Sequence, residues 1–391
     1  MRILSAILIA CALPATAFAA DLATESTPIA ATWLTAPTPT KWLDARMEPT
    51  VLVRTSIVAS DHGPVSVNGV THDSNEIDPS QFGYRQGFVL ENAQLGVRGR
   101  FNDPGLFYAL QLELVPRDKA GNRTADYVRD AYIGWNRFSF LEVRLGYQKV
   151  AISQANLKAT AEMLLPYAPT FDTFTPLRQL GLTVALQDPA KHVKLTLGAF
   201  DSTKQASEQM QDPKQLMLVG RAELNIDRFF GEHAEFAWRV AGNFGYTEKY
   251  FDDDQQRMWM GADTRAKFRF LELEAELMQV QFKLAPLPDG SQQAHSGLGW
   301  HVDLTGWLWA DKLSLTGRFE QMDGDTDPLA IDGVSLLADS IVRQKKQWVT
   351  VGLGYTLAPQ SRCLVAYIHR TELEGLNFDN DSGQVTCHLA F

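Results

Sequence analysis

The sequence predicts an all-β chain: a transmembrane antiparallel β-barrel of about 16 strands with an inward-folding third long loop. Three observations predict it. From residue 50 onward, segment after segment alternates apolar and polar side chains with period two, as strands with two unlike faces do. The connections between these segments alternate between short and long. The chain also ends on one more such segment, residues 382–391. There Val385, Cys387, Leu389 and Phe391 form one row, and Gln384, Thr386, His388 and Ala390 the other. An apolar strand at a chain end suits a closed wall, whose last strand pairs with its first and leaves no edge.

The 391 residues carry a net charge of -10 and are 45% hydrophobic. Arg2, the apolar run from Ile3 to Leu13 and the small-x-small site Ala17-Phe-Ala19 read as a secretory signal peptide over residues 1–19. The competing reading is a lipoprotein signal at Leu8-Ile-Ala-Cys11, which has a short apolar run before its cysteine. Residues 20–49, rich in Ala, Thr and Pro, form a periplasmic lead-in, and residues 50–391 the barrel. No window holds eighteen consecutive apolar residues, so the spanning elements are strands rather than helices. Cys363 and Cys387 fall on the last two expected strands, and the sequence leaves a bridge between them open. The absence of Cys/His metal spacings and long basic runs argues against metal and nucleic-acid binding.

The expected strands follow in order. Residues 50–58 come first. Residues 88–101 set Val89, Ala93, Leu95, Val97 and Phe101 against Asn92, Gln94, Arg98 and Arg100. Residues 105–115 set Leu106, Tyr108, Leu110, Leu112 and Leu114 against Gln111 and Glu113. Residues 126–136, 140–148, 178–187, 192–200, 216–225 and 234–246 repeat the pattern. Residues 257–269 line up Asp263, Arg265, Lys267 and Arg269, and residues 271–282 line up Glu272, Glu274 and Glu276. Residues 297–309, 312–321, 348–357, 362–371 and 382–391 complete the set.

Short connections at 102–104, 137–139, 188–190 and 358–360, and turns near Phe270 and Asp311, mostly carry Pro, Asp or Asn. Long ones span 60–87, 117–125, 149–177, 201–215, 247–256, 283–296, 322–345 and 372–381. Trp135, Tyr147, Tyr246, Trp259, Trp307, Trp309, Trp348 and Tyr355 lie near strand ends, where aromatic girdles belong.

No Gly-x-Ser-x-Gly elbow, His-Glu-x-x-His or P-loop is present, and no clustered Ser/His or Asp/His groups are legible at the rim. The chain reads as no enzyme and needs no cofactor. What remains is the polar inner face, and a barrel of this size is wide enough for an aqueous channel. Its selectivity candidates are Arg98, Arg100, Arg144, Arg178, Glu113, Glu142, Arg265, Lys267 and Arg269. The Arg265 row should be neutralised by Glu272, Glu274 and Glu276 on the next strand. Arg98, Arg100, Arg144 and Arg178 are then the less compensated group, which predicts a mild anion preference. The loop at 149–177 is weakly helical over 154–165, stiffened by Pro166, Pro169 and Pro176, and apolar enough to need a wall to pack on. Asp323-Gly-Asp-Thr-Asp327, Asp252–Asp254 and Asp379–Asp381 read as acidic solvated loops rather than calcium loops, since Pro328 stands where the sharp-turn Gly would be.

Several stretches carry a resemblance: Asn92-Ala-Gln-Leu-Gly-Val-Arg98, Asp130-Ala-Tyr-Ile-Gly-Trp135, Val143-Arg-Leu-Gly-Tyr-Gln-Lys149 and Arg178-Gln-Leu-Gly-Leu182. In their order and pattern they resemble the phosphate-selective porin O and P family. The terminal Phe391 also resembles the closing strand of bacterial outer-membrane proteins. The resemblance implies an outer-membrane porin, usually a homotrimer, passing small hydrophilic solutes or ions, either general or with an anion or phosphate preference. Its surroundings would be outer-membrane lipids and lipopolysaccharide. The alternative function is a structural or adhesive barrel with a blocked pore.

Overall fold

The computed structural model describes residues 45–60, 64–67, 70–73, 87–101, 105–115, 127–158, 162–166, 174–176, 178–202, 213–230, 236–250, 256–283, 294–309, 312–323, 345–358, 361–372 and 381–390. The strands are β1 (Ala45–Ser60), β2 (Pro64–Val67), β3 (Val70–Asp73), β4 (Gly87–Phe101), β5 (Leu106–Glu113) and β6 (Val128–Trp135). Next come β7 (Leu141–Lys149), β8 (Arg178–Gln187), β9 (Val193–Asp201), β10 (Leu216–Asn225), β11 (Phe236–Thr247) and β12 (Gln256–Phe268). The series ends with β13 (Leu271–Lys283), β14 (Ala294–Leu308), β15 (Leu313–Met322), β16 (Lys346–Ala358), β17 (Ser361–Glu372) and β18 (Ser382–Ala390). One helical turn, α1 (Gln154–Leu157), follows β7.

Sixteen of these strands close into one antiparallel barrel, each beside its sequence neighbour, and β2 and β3 form a separate hairpin. That hairpin falls inside a connection the sequence reads only as a long loop. Closure is made by β1 against β18, with Leu52 opposite Ala390 and Ser60 opposite Ser382. Strand β1 begins at Ala45, opposite Phe101 of β4, so residues 45–49 of the expected lead-in belong to the wall.

Period-two alternation becomes two surfaces. The outward rows expose Leu95, Leu145, Leu182, Leu197, Leu218, Leu273, Leu304, Leu315 and Leu353. The inward rows bury Arg54, Gln94, Glu113, Arg221, Asp263, Glu274, Asp303, Thr316 and Gln384. Apolar outside and polar inside is the inverse of a soluble core, and it is stable where hydrocarbon surrounds the wall.

Phase also reassigns three aromatics expected in the girdles. Trp259 shares the inward row of Asp263, Trp307 that of Asp303, and Trp348 that of Thr350. Trp259 and Trp348 are buried.

Cys363 and Cys387 are directly opposed across β17 and β18 and form a disulfide. Both stand on the outward rows, in phase with Tyr367 and Leu389.

Candidate functional site

The inner wall divides by height. At the long-loop end of β9 to β15 its inward side chains are apolar: Phe200, Met217, Val219, Trp259, Met278, Val280 and Met322. Val150, Ile152 and Phe174, from the connection between β7 and β8, pack into this patch. Of the apolar loop, the described residues Val150, Ile152 and Phe174 thus lie against this wall, while Tyr167 and Phe171 fall outside the described residues. Two glycines admit it. A Cβ on Gly245 would lie 2.5 Å from Ile152 Cδ1, and one on Gly352 would lie 2.5 Å from Leu165 Cδ2. These in-strand glycines serve close approach, as glycine in a strand often does.

Polar contacts then fix the loop across the barrel. The Ala155 N–H donates to Glu276 Oε2 at 3.0 Å. Lys158 pairs with Glu274. Arg239 Nη2 donates to Gln154 Oε1 at 2.9 Å, Arg318 Nη1 to the Pro166 carbonyl at 2.8 Å, and Trp259 Nε1 to the Phe174 carbonyl at 2.8 Å. Ser153 caps α1 through the Asn156 N–H at 3.1 Å. The helical stretch expected over 154–165 is described as this one turn, with 159–161 outside the described residues.

Below the loop, several buried acids of the inner wall are matched with cations. Glu91 meets Arg54 at 2.5 Å, and Glu113 meets Arg129 at 3.3 Å. Arg221 grips both oxygens of Asp263, at 2.5 and 2.8 Å, and Arg318 meets Asp303 at 2.7 Å. Arg265 reaches Glu272 at 2.6 Å and Glu274 at 3.1 Å, so this one member of the row meets the carboxylates expected opposite it. Lys267 lies 5.6 Å from the Trp307 ring centroid, and Arg362 lies at the same distance. Arg269 occupies the turn beyond, against the Phe268 ring.

The other expected group is less free than its sequence suggests. Arg98 pairs with Glu48 at 3.0 Å, Arg144 with Glu142 at 2.7 Å, and Arg178 with Asp130 at 3.0 Å. The reading of these three arginines as less compensated than the Arg265 row is therefore corrected. Register places a carboxylate beside each: Glu48 lies opposite Arg98, and Glu142 lies two residues from Arg144 on the same row. Glu113 is buried, bonded by Asn92, Gln94 and the Ala93 N–H, so it serves the wall rather than the water.

What distinguishes the two signs is exposure. At the short-turn end, the inward side chains of Arg98, Arg100, Arg265 and Lys267 are exposed, and Arg144, Lys194 and Arg239 are half-exposed. On the same rows Glu223, Glu272 and Glu274 are buried. Among the described residues, Glu48 and Glu142 on these rows are reached by water, as are Asp188 and Asp227 in the adjoining turns. These cations come from β4, β7, β9, β11 and β12, so they form a belt around much of that mouth. Among the described residues, no group of three His, Cys, Asp or Glu side chains is placed to hold a metal ion. Of the three acidic loop stretches, only Asp323 and Asp381 are within the described residues.

Residues 68–222 match the family model "Phosphate-selective porin O and P". No curated protein matches the chain. Solved structures do. The outer membrane channel DcaP of Acinetobacter baumannii is 13% identical at a TM-score of 0.57, with 89% of this chain and 97% of that one covered. OmpT of Vibrio cholerae is 9% identical at 0.56, covering 89% and 98%. An anion-selective porin from Comamonas acidovorans is 12% identical at 0.55, covering 89% and 100%. The resemblance to the phosphate-selective porin O and P family holds: residues 68–222 match its model, on a chain whose fold is that of the sixteen-stranded outer-membrane porins.

Proposed function

We propose that this chain is an outer-membrane diffusion channel for small hydrophilic solutes that prefers anions. One observation carries the preference: the acids of the inner wall are mostly buried and paired, while the cations of the short-turn mouth face water. A solute feels the charges that water and the narrow lumen transmit to it, so the sign of the exposed belt outweighs the acidic total of the chain. Arg98, Arg100, Arg144, Arg265, Lys267 and Arg269 are the selectivity residues on this reading. Arg178, Glu113 and Glu142 tune or support them. The family match and the anion-selective porin among the similar structures agree with it.

The short-turn end then faces the periplasm and the long loops the exterior, among lipopolysaccharide. Residues 1–19 act as the export signal. The working unit is a homotrimer, a form described for OmpT of Vibrio cholerae. Passage needs no covalent chemistry, so no lumen residue is catalytic.

The test is the reversal potential of the purified protein in a planar bilayer under a salt gradient. Anion preference is expected, and it should fall several-fold when Arg100, Arg265 and Lys267 are all replaced by Gln. A cation preference in the unmodified protein, or an absence of open-channel current, would sink the proposal.

A further inference from the structure

The outward row of β17 is interrupted near its long-loop end by Tyr367, His369 and Thr371, which alternation sets on one face. Asp381, immediately before β18, reaches back to them. Both of its carboxylate oxygens lie 2.9 Å from His369 Nδ1. The Arg370 N–H donates to Oδ1 at 3.0 Å, and the Tyr367 hydroxyl donates to Oδ2 at 2.5 Å. Burial pushes the Asp381 carboxyl up, but the Tyr367 hydroxyl, His369 and the Arg370 N–H together hold it below the usual carboxylate range. An ionised carboxylate only accepts, so His369 Nδ1 carries a proton, which in the neutral ring makes Nε2 the acceptor. Thr371 Oγ1 stands 3.4 Å from that Nε2. Across the ladder, Gln347 of β16 is directly opposite Thr371. Opposed Cβ atoms are roughly 4.5–5.5 Å apart, so a carboxamide borders the hydroxyl. Val349 and Val351 continue the same row as exposed apolar wall.

A hydroxyl, an imidazole aimed at it and a buttressing carboxylate are recognised by geometry and role rather than by fold. We propose that this cluster is an ester-hydrolysing site on the outside of the barrel, acting on an acyl ester of a lipid in the surrounding leaflet. Its position selects that substrate class. The hydroxyl lies at the water-exposed edge of an apolar wall, where an acyl chain can lie along Val349 and Val351 with its ester at Thr371.

In the first step Thr371 Oγ1 attacks the ester carbonyl carbon while its proton passes to His369 Nε2. The Gln347 carboxamide N–H donates to the oxyanion. The carbonyl re-forms, the ester C–O bond breaks, and the alcohol leaves with the proton from Nε2. Water, deprotonated by Nε2, then attacks the acyl-threonine ester. The fatty acid departs and Thr371 regains its proton. One ester and one water become one acid and one alcohol, with no change of oxidation state. Thr371 and His369 are the catalytic residues, and Asp381 is a positioning residue.

The test uses the folded full chain in two kinds of vesicle, one of phosphatidylethanolamine and phosphatidylglycerol, the other carrying lipopolysaccharide. Free fatty acid is read by mass spectrometry, and the arm that yields it names the lipid. Release is expected to fall by about 10³-fold or more in H369N and T371A, and to persist in T371S. D381N should lower kcat with KM held, and D381E should restore part of it. These substitutions lie outside the lumen, so unchanged single-channel conductance reports that each variant is folded. Fatty acid no higher than the T371A background in both arms would overturn the proposal, as would release that survives T371A.

Discussion

Among the described residues, Arg221 and Asp263 are the most deeply buried ion pair of the inner wall, with side chains about 1% exposed each. Asn243 completes the group, accepting from Arg221 at 2.6 Å and donating to Asp263 at 3.0 Å. Removing Asp263 leaves the buried Arg221 with only Asn243 and a 3.6 Å contact to Glu223. D263A should therefore cost about 3–5 kcal/mol of stability, and the double variant R221M/D263A less than D263A alone. Urea midpoints of the folded barrel measure both. At this scale the sequence tells which row a residue joins, and it placed Asp263 and the Arg265 row correctly on the polar face. It does not tell which partner each finds. The pairing of Arg98 with Glu48, and the grouping of Thr371, His369 and Asp381, both depend on contacts across strands or loops. His369 and Thr371 share one face of one strand, but nothing in the sequence showed that they act together. The third member, Asp381, lies 12 residues on from His369, beyond a loop.

Strands β17 and β18 are joined covalently as well as by their ladder. The disulfide closes a loop with a sequence separation of 24 and ties to its neighbour the strand that seals the barrel against β1. By loop entropy such a link contributes about 3 kcal/mol. C363S/C387S should lower the guanidinium midpoint accordingly. It should leave conductance unchanged, because both cysteines point outward. The loop between β7 and β8 is an element of the opposite kind, held inside by a few side-chain contacts. Lys158 supplies its ion pair to Glu274. K158A should raise open-channel conductance and current noise, with the wall intact, since Glu274 keeps Arg265 at 3.1 Å. Single-channel recording checks this.

The whole molecule carries a net charge of -10, yet its short-turn mouth presents mainly cations to water. Burial reconciles the two. Charges paired inside the wall cancel at short range, while exposed ones act over a Debye length. That length falls from about 10 Å at 0.1 M salt to about 3 Å at 1 M. The anion-to-cation permeability ratio should accordingly be largest at 0.1 M and decline toward unity at 1 M. Reversal potentials taken at fixed concentration ratio along this series test it. A ratio independent of salt would assign selectivity to pore size rather than to the belt.

The sequence by itself determined the sixteen wall strands, the alternation of short and long connections, and closure of the last strand on the first. Each of these follows from local properties: the period of two, turn residues at the short ends, and one apolar face per strand. Only the tertiary structure decided what depends on register and on contacts distant in sequence. A slip of one residue exchanges the two faces, and a slip of two changes every cross-strand partner. Hence the disulfide, the docking of Ile152 and Leu165 on the wall at Gly245 and Gly352, and the burial of acids beside exposed bases could be read only once the barrel was closed.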